Sequence, residues 1–148
     1  MSEAGARIEP GCVLHWAGFK FEDGSTANKY FVIVGSQPGK NYLAVIATSQ
    51  MKHGRKAVPG GNADGGWYHI PGGGKDFFPK DTWLLFDTPI ELSAADLLAR
   101  KLKGEIETKG NLRGDIANAI CNCMKKCDDV SDYHKSLLGP AIQPKKKA

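Results

Sequence analysis

The sequence predicts an α+β fold: a small, strongly bent antiparallel sheet or partly open barrel, followed by C-terminal helices. Three observations lead there. β-rich runs separated by Gly- and Pro-rich turns fill the first 92 residues. From Ser93 onward apolar residues recur at three- and four-residue spacing instead. Composition is ordinary for a globular chain, with 41% hydrophobic and 24% charged residues in 148. No apolar window approaches the ~18 residues of a membrane-spanning helix.

Residues 12–16, entered through Pro10 and Gly11, read as a first strand. Phe19 to Glu22 alternates and runs into the turn residues Asp23, Gly24 and Ser25. Residues 29–35 and 42–48 are β-rich without clean alternation, which predicts central strands buried on both faces. Eight of the 18 glycines fall between Gly54 and Gly74, so a long loop or wide hairpin belongs there. Residues 67–70 form a short strand, and residues 83–86 a last one that ends at Asp87, Thr88 and Pro89. Ser93 with Asp96 resembles a capping box ahead of Leu97, Leu98 and Leu102, and Gly104 ends that helix. Asn111 is expected to cap a second helix with the stripe Ile116, Ile120, Cys123 and Cys127. Ser131 caps a short third helix carrying Tyr133, Leu137 and Leu138. The expected organisation is a β core over residues 8–92, a helical extension packed on it over 93–139, and a flexible basic tail over 140–148.

Charge is uneven. Residues 1–80 carry nine basic and six acidic residues, residues 81–144 eight and ten, and Lys145, Lys146 and Lys147 close the chain. Between residues 40 and 80 six cations (Lys40, Lys52, Arg55, Lys56, Lys75 and Lys80) face Asp64 and Asp76. Such a segment invites anionic partners. Its glycines let a loop follow a polyanion closely, and Trp67, Tyr68 and His69 offer rings to unpaired bases. Lys52, Arg55, Lys56, Trp67, Tyr68, His69 and Lys75 are thus candidate RNA-binding residues; the alternative is a solvated loop with core aromatics.

The N-terminus is polar and lacks an apolar signal region, and the chain has four cysteines, Cys12, Cys121, Cys123 and Cys127. This leads to the expectation of a reduced, cytoplasmic protein. On one helix Cys121 is turned about 200° from Cys123. Cys123 and Cys127 fall on the apolar stripe, so these thiols read as core packing, and no metal or cofactor is expected.

Pro10-Gly11-Cys12-Val13-Leu14, then Phe19 to Gly24, Lys29 to Val34 and Val45-Ile46-Ala47-Thr48-Ser49, resembles the core of MazF/PemK/Kid-type toxins. Asp81-Thr82-Trp83-Leu84-Leu85-Phe86-Asp87 is similar to a later segment of that family, and the likeness spans residues 8–100. The resemblance implies an SH3-like barrel (PemK/MazF-like), a homodimer, metal-independent cleavage of single-stranded RNA, and restraint by an antitoxin protein. It sets Lys29 where the family has a catalytic Arg, Thr48 at the catalytic Thr of MazF-like members, and Asp87 at the Asp of Kid-like members. Two departures stand out: Lys29 keeps the charge but lacks a planar guanidinium fork, and Leu85 stands where a family Arg belongs.

RNA supplies its own nucleophile, the 2′-hydroxyl. Cleavage then requires a base, cationic donors on the phosphate, and an acid for the leaving oxygen. Lys29 is the candidate for phosphate charge and Thr48 for a hydrogen bond to it. His53, His69 and Asp87 are the candidate proton carriers, histidine being suited by its titration near neutrality. His15 reads as a structural strand residue and His134 as a surface helix residue. Three readings follow. One is an endoribonuclease with catalytic Lys29, Thr48, Asp87 and His53. Another is a non-catalytic barrel that binds nucleic acid or protein, favoured by the departures at Lys29 and Leu85. The last is an unrelated SH3-like interaction protein.

Overall fold

The structure, a computed structural model, describes residues 8–49, 60–73 and 77–139. Its long strands form where the sequence is densest in Val, Ile, Phe and Trp: β1 (Cys12–Lys20), β2 (Thr26–Gly35) and β3 (Tyr42–Thr48). β4 (Gly60–Asn62), β5 (Trp67–Ile70) and β6 (Thr82–Leu92) follow, then α1 (Ala94–Leu102), β7 (Ile106–Asn111), α2 (Gly114–Lys125) and α3 (Asp132–Leu137). The strands build one sheet in the order β4-β5-β6-β3-β2-β1-β7, and every pairing in it is antiparallel. The fold is α+β. The sheet is open, with β4 and β7 as its two edges.

Alternation along the central strands divides the interior into two cores. Cys12, Leu14, Trp16, Phe31, Ile33 and Ala44 face α1 and its Leu97. Val13, Val32, Val34, Val45, Leu84 and Phe86 face the other way, against Ile120 and Met124 of α2 and Leu137 of α3. The runs over 31–34 and 43–45 therefore lack alternation because both faces are covered. Each fully buried side chain of this kind contributes roughly 1.5–3 kcal/mol. Residues after position 92 supply part of both cores.

Several elements differ from the sequence expectation. β7 lies between two helices, in a stretch read as a connection. It pairs with β1 through Cys12↔Asn111 and Trp16↔Ile106. Its Ile106 is buried while Glu107, Lys109 and Asn111 are exposed, so an edge strand with one core residue leaves little hydrophobic pattern. Asn111 ends that strand instead of capping α2; Arg113 takes the cap position and makes no side-chain cap hydrogen bond. β6 runs on past Phe86 to Leu92, and its register to β3 jumps from Ile46↔Leu85 to Ala44↔Ile90. The extra residues form a bulge that holds Pro89, which has no N–H for the ladder. The buried face of α2 is Ala117, Ile120, Cys121 and Met124. Cys121 packs inward and its thiol donates to the Val34 carbonyl at 3.3 Å, whereas Cys123 and Ile116 are only partly buried.

The predicted caps at Ser93 and Ser131 form. Ser93 Oγ accepts from the Asp96 N–H at 3.0 Å, and Ser131 Oγ from the His134 N–H at 3.0 Å. Arg100 fastens α1: it lies 4.9 Å over the Trp16 ring and donates to Asp96 and Glu105. At the far end of the sheet α3 closes on β2, where a Cβ on Gly35 would collide with the Leu137 carbonyl. The Gly139 N–H donates to Val34 there, and the Ser36 N–H donates to Gly139. Glu91 of β6 accepts from Asn41 at 3.1 Å and from the Tyr133 hydroxyl at 2.7 Å. These bonds, with His134 at 3.5 Å, hold its carboxyl below the usual range. His134 is thus tied to the sheet. No helix is long and apolar enough to cross a membrane among the described residues.

Candidate nucleic-acid interface

At the end of the sheet away from α3, the first residues of β2 and the last of β3 are only partly covered. The segment that leaves β5 folds back on itself there. Asp81 Oδ1 accepts the Gly72 N–H at 2.7 Å, Pro79 O accepts the Gly73 N–H at 3.1 Å, and the Thr82 hydroxyl donates to Lys80 O at 2.9 Å. This fold brings Phe77 and Phe78 against Tyr30 of β2, with ring centroids 5.6 and 6.1 Å apart. A cleft of about 280 Å³ remains between this segment and the ends of β2 and β3. Its lining includes Asn28, Lys29, Tyr30, Thr48, Phe78 and Lys80.

Lys29 and Thr48 therefore meet in one cleft. The antiparallel register explains it: Tyr30 pairs with Ala47, which sets the preceding residue of β2 beside the next residue of β3. Lys80 adds a second cation from the folded-back segment. Neither lysine makes an ion pair with a described residue. Among the described residues the cleft has two cations and no carboxylate or imidazole. Cationic donors beside aromatic walls suit an acceptor-rich anion with a flat apolar part.

The other sequence candidates lie elsewhere. Asp87 is exposed on β6, four residues beyond Trp83, the partner of Thr48 across the ladder; that is roughly 13 Å of strand. Leu85 is half-buried opposite Trp67 and Ile46. Trp67 is half-buried on β5. Tyr68 is packed into the α2-facing core, so a base stacking on it would have to displace core side chains. His69 is 2% exposed and stacks on Trp83 at 4.9 Å and 27°. Among the described residues its ring nitrogens have no hydrogen-bond partner, and Nε2 is 3.7 Å from Asp81 Oδ2. His69 thus lies inside the sheet, behind the segment that carries Lys80. Lys52, His53, Arg55, Lys56 and Lys75 lie outside the described residues, as does the basic tail.

Asn28, Tyr30 and Lys80 were not among the sequence candidates for this site. Tyr30 follows Lys29 in a strand, and Lys80 ends the Phe-Phe-Pro-Lys run. Those are weak signals until the segment folds back. The thiols stand apart from this cleft. Burial pushes the Cys12 thiol up to about 11 and raises those of Cys121 and Cys123 as well. Among the described residues no group of three His, Cys, Asp or Glu side chains is arranged to hold a metal ion. Comparison with protein-family models, with curated proteins and with solved structures finds no match for this chain.

Proposed function

We propose that the chain binds single-stranded RNA in the cleft between β2, β3 and the Phe78–Lys80 segment. The observation that carries this reading is the pair Lys29 and Lys80, two cations on an aromatic-walled cleft that form no ion pair among the described residues. Phosphate oxygens would accept from the ammonium groups and release condensed counterions, while a base rests on the exposed ring. A band-shift titration across salt concentrations tests it. Wild-type affinity should fall with salt. Replacing both lysines by alanine should lower affinity and flatten the slope of log K against log salt by about 0.7 for each phosphate that is no longer neutralised. Salt-independent binding, or binding untouched in Lys29→Ala/Lys80→Ala, would sink the reading.

A second reading has its own support. Lys29 and Thr48, set at catalytic positions by the MazF/PemK resemblance, share the cleft. In a metal-independent endoribonuclease, Lys29 would stabilise charge on the scissile phosphate during attack by the 2′-hydroxyl. A proton carrier is still required, and His53 is the candidate from the sequence; Asp87 is remote from Lys29 and Thr48. Incubation of a mixed-sequence RNA in EDTA separates the readings. Cleavage that disappears in Lys29→Ala and Thr48→Ala supports the enzyme, while intact RNA that is still retained supports a non-catalytic binder. The resemblance also carries the proposals of a homodimer, an antitoxin partner and a cytoplasmic location. Sedimentation of the purified chain tests the first.

A further inference from the structure

The ladder between β1 and β2 runs through Trp16↔Lys29 and resumes at Phe19↔Ala27, so β1 carries one extra residue. Gly18 sits in this bulge with φ of 70°, a conformation glycine adopts without steric cost. A bulge leaves its extra residue outside the regular pairing. Here Asn28 Oδ1 accepts the Gly18 N–H at 2.9 Å. Because a backbone N–H only donates, the carboxamide oxygen must be the atom facing Gly18. The amide nitrogen keeps two donor hydrogens, for which no described residue supplies an acceptor. Asn28 thus enters the cleft lining with its chemistry already decided.

Two residues along β2, on the same face, stands Tyr30. It is 36% exposed. Edge-on contacts with His15 at 5.0 Å, Phe77 and Phe78 brace its ring from several sides. A braced, partly exposed ring beside a fixed donor is the arrangement that reads one unpaired base. We propose that Tyr30 and Asn28 form a base-recognition subsite. Tyr30 stacks one base, and the Asn28 amide donates to a ring carbonyl oxygen of that base, so uracil is preferred to adenine. Adenine has no carbonyl and presents an amino donor at the corresponding place. This inference rests on the RNA-binding reading of the same cleft.

The test compares binding of octamers of uridine and of adenosine by fluorescence anisotropy, at one salt concentration, for wild type, Asn28→Asp, Tyr30→Ala and Lys29→Ala. The aspartate still accepts from Gly18 but replaces the donors with an acceptor. Wild type should bind the uridine octamer about fivefold to tenfold more tightly, the scale of one net hydrogen bond. In Asn28→Asp that ratio should fall to about one or reverse; taking the ratio cancels the added charge. Tyr30→Ala should weaken both octamers about tenfold, as the loss of one stacked base does. A wild-type ratio near one, or a ratio unmoved in a folded Asn28→Asp, overturns the subsite. If Asn28→Asp fails to fold, unchanged affinity in Tyr30→Ala overturns it. When Lys29→Ala weakens both octamers but the ratio ignores Asn28, the subsite alone falls. Wild type binding neither octamer removes the RNA reading and the subsite together.

Discussion

Phe31, Val32, Ile33 and Val34 of β2 are buried on both faces, while Thr26, Asn28 and Tyr30, just before them in the same strand, are exposed. The difference is one of cover. Leu97 of α1 packs against the core face that holds Phe31 and Ile33, and α2 and α3 close over the opposite face at Val32 and Val34. The other half of the strand packs against His15 of β1 and the segment with Phe77, Phe78 and Lys80, and a cleft remains. One strand therefore serves as core at one end and as a presenting surface at the other. The covered half holds the open half in place, so Asn28, Lys29 and Tyr30 sit on a rigid strand instead of a loop.

Mutations should separate the two halves by size of effect on stability. Phe31→Ala removes a fully buried ring and should cost about 3–5 kcal/mol, read as a large drop in the urea midpoint. A loss below ~1 kcal/mol would mean that the covered half is not the rigid one. Ser131→Ala removes the cap of α3 and should cost about 1 kcal/mol. Melting with the same midpoint as wild type would argue that α3 is held by Leu137 packing alone.

The clamp on α3 should also respond to acid. Hydrogen bonds from Asn41 and Tyr133 hold the Glu91 carboxyl below its usual range, so its folded pKa lies under the unfolded value of ~4.3. Its contribution is complete above that value and is lost as pH falls through the depressed folded value. Between pH 5.5 and pH 3 the melting temperature of wild type should therefore drop further than that of Glu91→Gln. Equal drops would sever Glu91 from the clamp. The smallest stability change is expected at the open end: Lys29→Ala should stay within about 0.5 kcal/mol of wild type. The same variant is expected to have one of the largest effects on RNA binding.

Much of the scaffold is legible in the sequence. The runs at 29–35 and 42–48 announce by their lack of alternation the double burial found over 31–34 and 43–45, and Ser93 and Ser131 announce helix starts. What escapes has little side-chain signal. β4 is Gly60, Gly61 and Asn62, and β7 buries only Ile106 fully. The extension of β6 is hidden by Pro89, because a proline reads as a strand end unless a bulge accommodates it. Tyr68 and His69 look like surface rings because an aromatic run beside glycines has the same composition whether it lines a groove or a core. Lys29 and Thr48 stand out in the sequence, but nothing along the chain places Lys80 with them.

The sequence by itself determined the class of fold, the doubly buried centre of the sheet, two helix caps and the basic character of the first half. These depend on local pattern: side-chain period, turn residues and charge. The tertiary structure alone decided that β7 closes on β1, that Asp87 and His69 stand away from Lys29 and Thr48, and that Lys80 joins them. It also decided the role of Asn28. A carboxamide turns its NH2 donors outward when a backbone N–H holds its oxygen, and that N–H belongs to a bulge ten residues earlier in the chain. Register and bulges bring distant residues together, and neither can be read from the order of residues along one strand.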